Sequence, residues 1–164
     1  PAKQDSPPAR VEFISETVKN PWRMMSNARR IKVEQFTVRT TGRCQLIPIT
    51  AQIRIIVHNS GITSGVCVVF CPHTTAGLTI NENADPDVAR DMVYQLQRLV
   101  PADDPEYKHV EGNSAAHILA SLTGSSVHLL IENGALQLGT WQGIYLAEFD
   151  GPRERKVWVQ IVGS

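Results

Sequence analysis

The chain has no apolar run approaching the roughly 18 residues that a bilayer-spanning helix needs, and its opening residues, PAKQDSPPAR, lack the apolar core of a secretory signal. These absences predict a soluble, cytoplasmic protein with no membrane partner. Net charge is absent too. Sixteen Lys and Arg balance sixteen Asp and Glu, so the field of the whole molecule does not draw it to nucleic acid or anionic lipid, and no nucleic-acid partner is expected. There is no glycine-rich phosphate loop and no serine-hydrolase elbow. Cysteine is sparse, with only Cys44, Cys67 and Cys71. Cys67 and Cys71 sit in VCVVFC, where a strand puts both on one face, so they read as buried free thiols. Their spacing is not the tight pair typical of zinc-binding cysteines.

What is present is enough for one folded domain: 164 residues, 42% apolar and 20% charged. Residues 1–29 read as an N-terminal extension, loose through its Pro-rich first ten residues, and 30–164 as the domain. Residues 30–40 alternate as a strand, but Ile31 and Val33 are out of phase with Phe36 and Val38, which predicts a bulge. Thr50 is placed to cap a helix that buries Ile53, Ile56 and Val57 and ends at Gly61. Strands follow over 65–71 and on through Ile80. Asp85-Pro86 is a strong helix start, with Val88, Met92, Leu96 and Leu99 as its apolar stripe. A shorter helix over 114–122 carries Ala115, Ile118, Leu119 and Leu122 on one face, closed by Gly124. The remainder is strand. Val127, Leu129 and Ile131 alternate, residues 144–149 are apolar on both faces, and Val157, Val159 and Ile161 alternate again. Asp150-Gly151-Pro152 predicts a turn joining the last two strands as a hairpin. The pattern gives an α+β fold: a single antiparallel sheet or sandwich-like domain with three short helices on one side.

The chemistry concentrates in three histidines. His73 follows a buried strand in PHTTAG, His109 lies in the loop KHVEGNS, and His117 is on the flank of the short helix among small and polar neighbours. Neutral imidazoles ligate zinc and similar divalent ions, though hydrogen-bonded core or surface histidines are the plain alternative. His58 and His128 read as ordinary helix-end and strand residues. Glu82 in INENADPD and Glu111 in HVEGN add carboxylates near the histidines in sequence, whereas Asp85 has a sufficient role as a helix cap. Arg153 and Arg155, two apart on a strand, should face the same way, and a guanidinium fork binds phosphate well. Solvated surface arginines are the alternative there. Trp141 suits either core or a stacking platform.

Taken together, PHTTAGLTINENADPDV, YKHVEGNSAAHILASLTG and LQLGTWQGIYLAEFDGPRERKVWVQIVG resemble the YjbQ family, also labelled secondary thiamine-phosphate synthase enzymes. The resemblance runs from about residue 30 to 163. It implies a compact sandwich-like α+β domain, a homotrimer, and a histidine-lined site near subunit contacts. It also implies a low thiamine-phosphate synthase activity, joining a pyrimidine methyl diphosphate to a thiazole phosphate. By position, the family's polar residues fall on His73, Thr74, Thr75, Glu82, Asn83, Asp85, His109, Asn113, His117, Trp141, Gln142, Asp150, Arg153 and Arg155. In that reading His73, His109 and His117 hold a divalent metal, zinc or else magnesium. Thr74, Thr75, Asn83, Asn113, Trp141, Gln142, Arg153 and Arg155 contact a small phosphorylated molecule. Two other classes of function compete: a non-catalytic metal or small-ligand binding trimer, and a metal-dependent phosphoester hydrolase with Glu82 or Glu111 as general base to a metal-bound water. A homotrimer is also expected from the strand over 144–149, whose second apolar face is assigned to another subunit.

Overall fold

The computed structural model describes residues 10–12 and 30–164; the rest of the expected loose tail and residues 13–29 lie outside them. Twelve elements follow in order: β1 (Arg10–Glu12), β2 (Arg30–Arg39), β3 (Gln45–Pro48), α1 (Thr50–Ser60), β4 (Ser64–Phe70), β5 (Ala76–Glu82), α2 (Pro86–Leu99), α3 (Ser114–Thr123), β6 (Ser126–Glu132), β7 (Ala135–Leu136), β8 (Gln142–Glu148) and β9 (Glu154–Gly163). The strands form a six-stranded sheet in the order β1-β2-β9-β4-β6-β7 and a three-stranded sheet in the order β3-β8-β5. Every strand pair is antiparallel. The fold is therefore α+β, as the pattern of elements predicts, but the helices do not share one side: α1 packs into the core between the sheets, and α3 covers the other face of the small sheet.

Alternation builds the core. Phe36 and Val38 of β2, Cys67 and Val69 of β4, Leu129 and Ile131 of β6, and Val157, Val159 and Ile161 of β9 all point from the large sheet toward Ile47, Ala76, Leu78, Ile144 and Leu146 of the small one. Fully burying each large apolar side chain stabilises the fold by about 1.5–3 kcal/mol. Cys67 and Cys71 are buried free thiols, as expected, and burial pushes the Cys67 thiol up to about 12 and the Cys71 thiol to about 11. Helix α1 contributes Ile53, Ile56 and Val57 to this same cluster and ends at Gly61, whose φ of 66° is left-handed. Thr50 does not cap it. The Thr50 hydroxyl instead accepts from the Ile144 amide at 2.8 Å, pinning the helix start to β8.

Four further expectations are corrected. No bulge interrupts β2, which pairs residue for residue with β9 from Arg30↔Gly163 to Arg39↔Glu154; the phase change arises because Ile31 lies on the outer face of the sheet, 56% exposed. The turn at 150–152 does not close a hairpin, because β8 belongs to the small sheet and β9 to the large one. It is a corner between the two layers. Helix α3 buries Ala115, Ala116, Leu119 and Ala120 and leaves Leu122 exposed. The small residues let it lie close to β5, where a side chain on Gly77 would meet the Gly124 carbonyl oxygen at 2.6 Å. Finally, the second face of β8 is covered within the chain: Ala147 and Phe149 pack with Val100, Ala115, Ala116, Leu119 and Ala120. That face is not left for another subunit.

Helix α2 keeps its expected start, but its expected apolar stripe is only partly covered: Val88, Met92 and Leu96 are half-buried and Leu99 is exposed. Asp85 accepts from the Asp87 amide at 2.9 Å as N-cap, and Pro86 stands in the first turn. Among the described residues no helix is long and apolar enough to cross a membrane.

Candidate functional site

The β8–β9 corner determines the site. In β9 the inward positions are Val157, Val159 and Ile161, and parity makes Arg155 the fourth. It is only 4% exposed. In β8 the same logic turns Glu148 inward after Ile144 and Leu146, at 0% exposure. A buried arginine and a buried carboxylate are each costly alone, so they pair. Arg155 Nε donates to Glu148 Oε2 at 2.7 Å and its Nη2 to Oε1; Nη2 also donates to the Thr75 hydroxyl at 2.9 Å. Glu148 accepts in addition from the Thr40 hydroxyl at 3.0 Å and from the amides of Phe149 and Asp150 at 2.9 and 2.8 Å. The core between the sheets thus ends here in a closed polar knot.

Outside the knot is an open cleft of about 300 Å³ lined by Pro72, His73, Thr74, Thr75, Glu111, Asn113, His117, Asp150, Arg153 and Arg155. Eight of these residues are among those the sequence singles out as site candidates. His73 receives the Lys156 backbone N–H on Nε2 at 2.8 Å, which puts the proton of the neutral ring on Nδ1. Burial, helped by the Arg155 charge and opposed by Glu148, holds its pKa below the ordinary histidine value, so the neutral ring is favoured. Arg153 lies at the corner, ahead of the strand, and does not share the inward direction of Arg155. Its Nε donates to the Asp150 carbonyl at 2.8 Å and its Nη2 to Asp150 Oδ2 at 2.7 Å. Asn113, at the start of α3, donates its amide to Asp150 Oδ2 at 3.0 Å and more weakly to Glu111 at 3.4 Å. Burial pushes the Asp150 carboxyl up, but the Asn113 amide and the Arg153 guanidinium together outweigh it and leave the group below its ordinary value.

The three histidines do not form one ligand set. His109 and His117 meet edge to face with ring centroids 5.2 Å apart, and Glu111 stands 3.9 Å from His109 Nε2. His73 has its Nε2 occupied by an amide. Among the described residues no three His, Cys, Asp or Glu side chains converge as a metal-binding group. The described residues of one chain thus offer no complete ligand set for the expected metal.

The remaining candidates lie elsewhere. Glu82, Asn83, Trp141 and Gln142 gather at the opposite end of the β5–β8 ladder, where Glu82 pairs with Gln142 while Ala76 pairs with Glu148 at the cleft end. Six residue steps of roughly 3.3 Å separate the ends, about 20 Å. Here the polar groups brace loops. Tyr145 Oη stands 2.7 Å from Asn83 Oδ1 and 2.8 Å from the Glu82 carbonyl, Gln142 Oε1 accepts from the Gly139 backbone N–H at 2.8 Å, and the Asn83 backbone N–H donates to the Trp141 carbonyl at 2.7 Å. Trp141 is 64% exposed, so it is not core. Nearness in sequence to His73 is misleading for Glu82, because β5 carries it away from the cleft. Sequence reasoning also missed Glu148 and Thr40. An acidic residue closing the apolar run IYLAEF was the available signal for Glu148.

The family model described as UPF0047 protein YjbQ-like matches residues 34–164. The UPF0047 protein YugU of Bacillus subtilis is 49% identical over 131 residues, covering 80% of this chain and 99% of its own length. A UPF0047 protein of Methanocaldococcus jannaschii is 46% identical over 130 residues, covering 79% of this chain and 94% of its own length. Among solved structures, an uncharacterized conserved protein of the same family from Clostridium acetobutylicum superposes with a TM-score of 0.76 at 58% identity, over 77% of this chain and 98% of that one. A YbjQ-like protein of unknown function from Sulfolobus solfataricus gives 0.80 at 32% identity, over 83% and 99%.

Proposed function

The chain belongs to the UPF0047 family described as YjbQ-like, and from that premise we propose that the cleft at the β8–β9 corner binds a phosphorylated small molecule. The reaction is the one implied by the family's thiamine-phosphate synthase label, at low turnover. A thiazole-phosphate nitrogen uses its lone pair to form a C–N bond to the methylene of a pyrimidine methyl diphosphate, while the C–O bond breaks and its electron pair leaves with the diphosphate. The demand on the protein is stabilisation of the departing charge by fixed donors. One observation carries this reading: Arg153 and Arg155 line the same cleft as His73 and His117, and each guanidinium is held through Nε and Nη2, Arg155 by both oxygens of the Glu148 carboxylate and Arg153 by the carbonyl and the carboxylate of Asp150. The Nη1 group of each has no protein partner among the described residues, so a ligand can take it. Thr74 and the Nδ1–H of His73 add neutral donors.

A second reading, a metal or small-ligand binding trimer, draws support from the His109–His117–Glu111 grouping, which needs ligands from outside the chain to be complete. A homotrimer is proposed with it. Supporting it is the outer face of the six-stranded sheet, where Ile31, Val66, Phe70, Leu130 and Trp158 all remain exposed. They sit in register across four strands, with Phe70 opposite Trp158 and Val66 between Leu130 and Val162. Light scattering at micromolar concentration is expected to give three times the chain mass; a monomer refutes the trimer. Calorimetric titration with inorganic pyrophosphate is expected to give saturable binding that weakens about tenfold or more in Arg153→Lys, the scale of one charge-assisted hydrogen bond. No binding to the unmodified protein refutes the phosphate reading. Zinc retained stoichiometrically without pyrophosphate binding favours the binding module.

A further inference from the structure

We propose that Glu148 is the positioning residue of the cleft: through one buried carboxylate it determines where Arg155, Thr75 and the Asp150 corner present themselves to the ligand. The inference rests on the phosphate reading above and names the device that makes that site.

Stability alone does not account for Glu148. It follows Ile144 and Leu146 on the inward face of β8, and an apolar residue there opposite an apolar residue at 155 would continue the core. Burying an ion pair in such a place is often neutral or unfavourable against well-packed apolar side chains, because desolvation of both charges offsets their attraction. What the pair does is join, by side chains, the ends of two sheets that share no strand ladder, β8 of the small one and β2 and β9 of the large one. Glu148 Oε2 takes Arg155 Nε and the Thr40 hydroxyl. Oε1 takes Arg155 Nη2 and the two amides that begin the corner, Phe149 and Asp150.

Each of these bonds leads to the cleft. Arg155, held side-on, reaches the hydroxyl of Thr75 at 2.9 Å and its carbonyl at 3.4 Å, one residue from Thr74 and two from His73. The amide of Asp150 is fixed, so its carboxylate lies where Arg153 and Asn113 both bind it. Thr40 Oγ1 also accepts from the Arg153 amide at 2.8 Å, tying the start of β9 to the same carboxylate. Five of the ten cleft residues thus contact Glu148 or a direct partner of it, yet Glu148 itself is fully buried and does not line the cleft. It acts through the others and touches no ligand.

The test uses the full chain and inorganic pyrophosphate, with the Arg155 Nε–H resonance followed by NMR at a temperature where circular dichroism shows each variant folded. In Glu148→Gln the amide cannot accept all five bonds and turns one N–H toward other donors. The expected result is an Arg155 Nε–H signal that shifts and broadens, with pyrophosphate affinity at least tenfold weaker. Glu148→Asp keeps the charge at shorter reach and is expected to fall between the two, and it serves alone if the Gln variant does not fold. A variant that is merely less stable, with the Arg155 signal and the affinity unchanged, overturns the positioning role and leaves the phosphate reading standing. If the unmodified protein binds no pyrophosphate, the phosphate reading falls. The Arg155 signal in the two variants then decides the positioning claim by itself: unchanged, it is overturned; shifted, it is upheld.

Discussion

The two ends of the β5–β8 ladder share the same strands and the same hydrogen-bond register, yet they use polar side chains differently. At the Ala76–Glu148 end, charge is taken out of water and matched group for group: Glu148 and Arg155 are at 0% and 4% exposure. At the Glu82–Gln142 end, the side chains are partly exposed, carry little charge and hold backbone in place. A side chain on Gly143 would strike Asn83 Cβ at 2.6 Å, so even the glycine there serves the close approach of Asn83 to β8. The contrast separates a candidate site from a brace. Both ends are rich in Asn, Thr, Gln and Glu, and composition does not tell them apart; matched buried charge beside an open cleft does.

The sharpest way to break the contrast is to remove the buried cation. Arg155→Met keeps much of the aliphatic bulk and leaves Glu148 without its charged partner. Stability is expected to fall by about 3–5 kcal/mol, the usual cost of leaving one member of a buried pair uncompensated, measured by urea unfolding at pH 7. A loss below 1 kcal/mol at pH 7 would mean that water reaches the pair.

How far the sequence foretold these regions follows from which residues obey simple periods. Strand β9 was legible because Val157, Val159 and Ile161 alternate without interruption, and α2 because Asp85-Pro86 is local chemistry that tertiary packing does not override. The buried pair was not legible. Arg155 shares a parity with Arg153, but the corner at 150–152 ends that equivalence, and only the crossing from one sheet to the other shows it. The face of α3 was misread because large apolar residues outweigh alanines on any hydropathy scale, whereas close packing on a strand selects the small ones. His73, Thr74, Thr75, Glu111, Asn113, His117, Arg153 and Arg155 do line one cleft. The placement of Glu82 required knowing that β5 runs straight away from it.

A smaller effect is expected at the far end. Tyr145 is 3% exposed, and its hydroxyl serves both the Glu82 carbonyl and Asn83 Oδ1. Tyr145→Phe removes that bond and leaves acceptors that water can still reach through the exposed Asn83, so the expected cost is about 1 kcal/mol by thermal or urea unfolding. Pyrophosphate affinity should not change, because the lost bond lies about 20 Å along the ladder from the cleft. A loss of affinity would show the two ends to be coupled.

The smallest effect expected is at Glu82, and it is the most discriminating. Its carboxylate has no hydrogen-bond or ion-pair partner among the described residues, and it does not line the cleft; Glu111 does. If catalysis belongs to the cleft of one chain, Glu82→Gln changes stability by less than about 0.5 kcal/mol and leaves both pyrophosphate affinity and any condensation of the thiamine precursors intact. Glu111→Gln is the paired measurement, because it alters a residue that lies against both His109 and Asn113. A loss of turnover in Glu82→Gln with pyrophosphate binding preserved would contradict the separation of the two ends. Within one chain β5 holds them apart, so such a result would require a neighbouring copy to bring its Glu82 end to this chain's cleft, and a mixed assembly of Glu82→Gln and Arg155→Met subunits would then recover part of the activity that neither variant has alone.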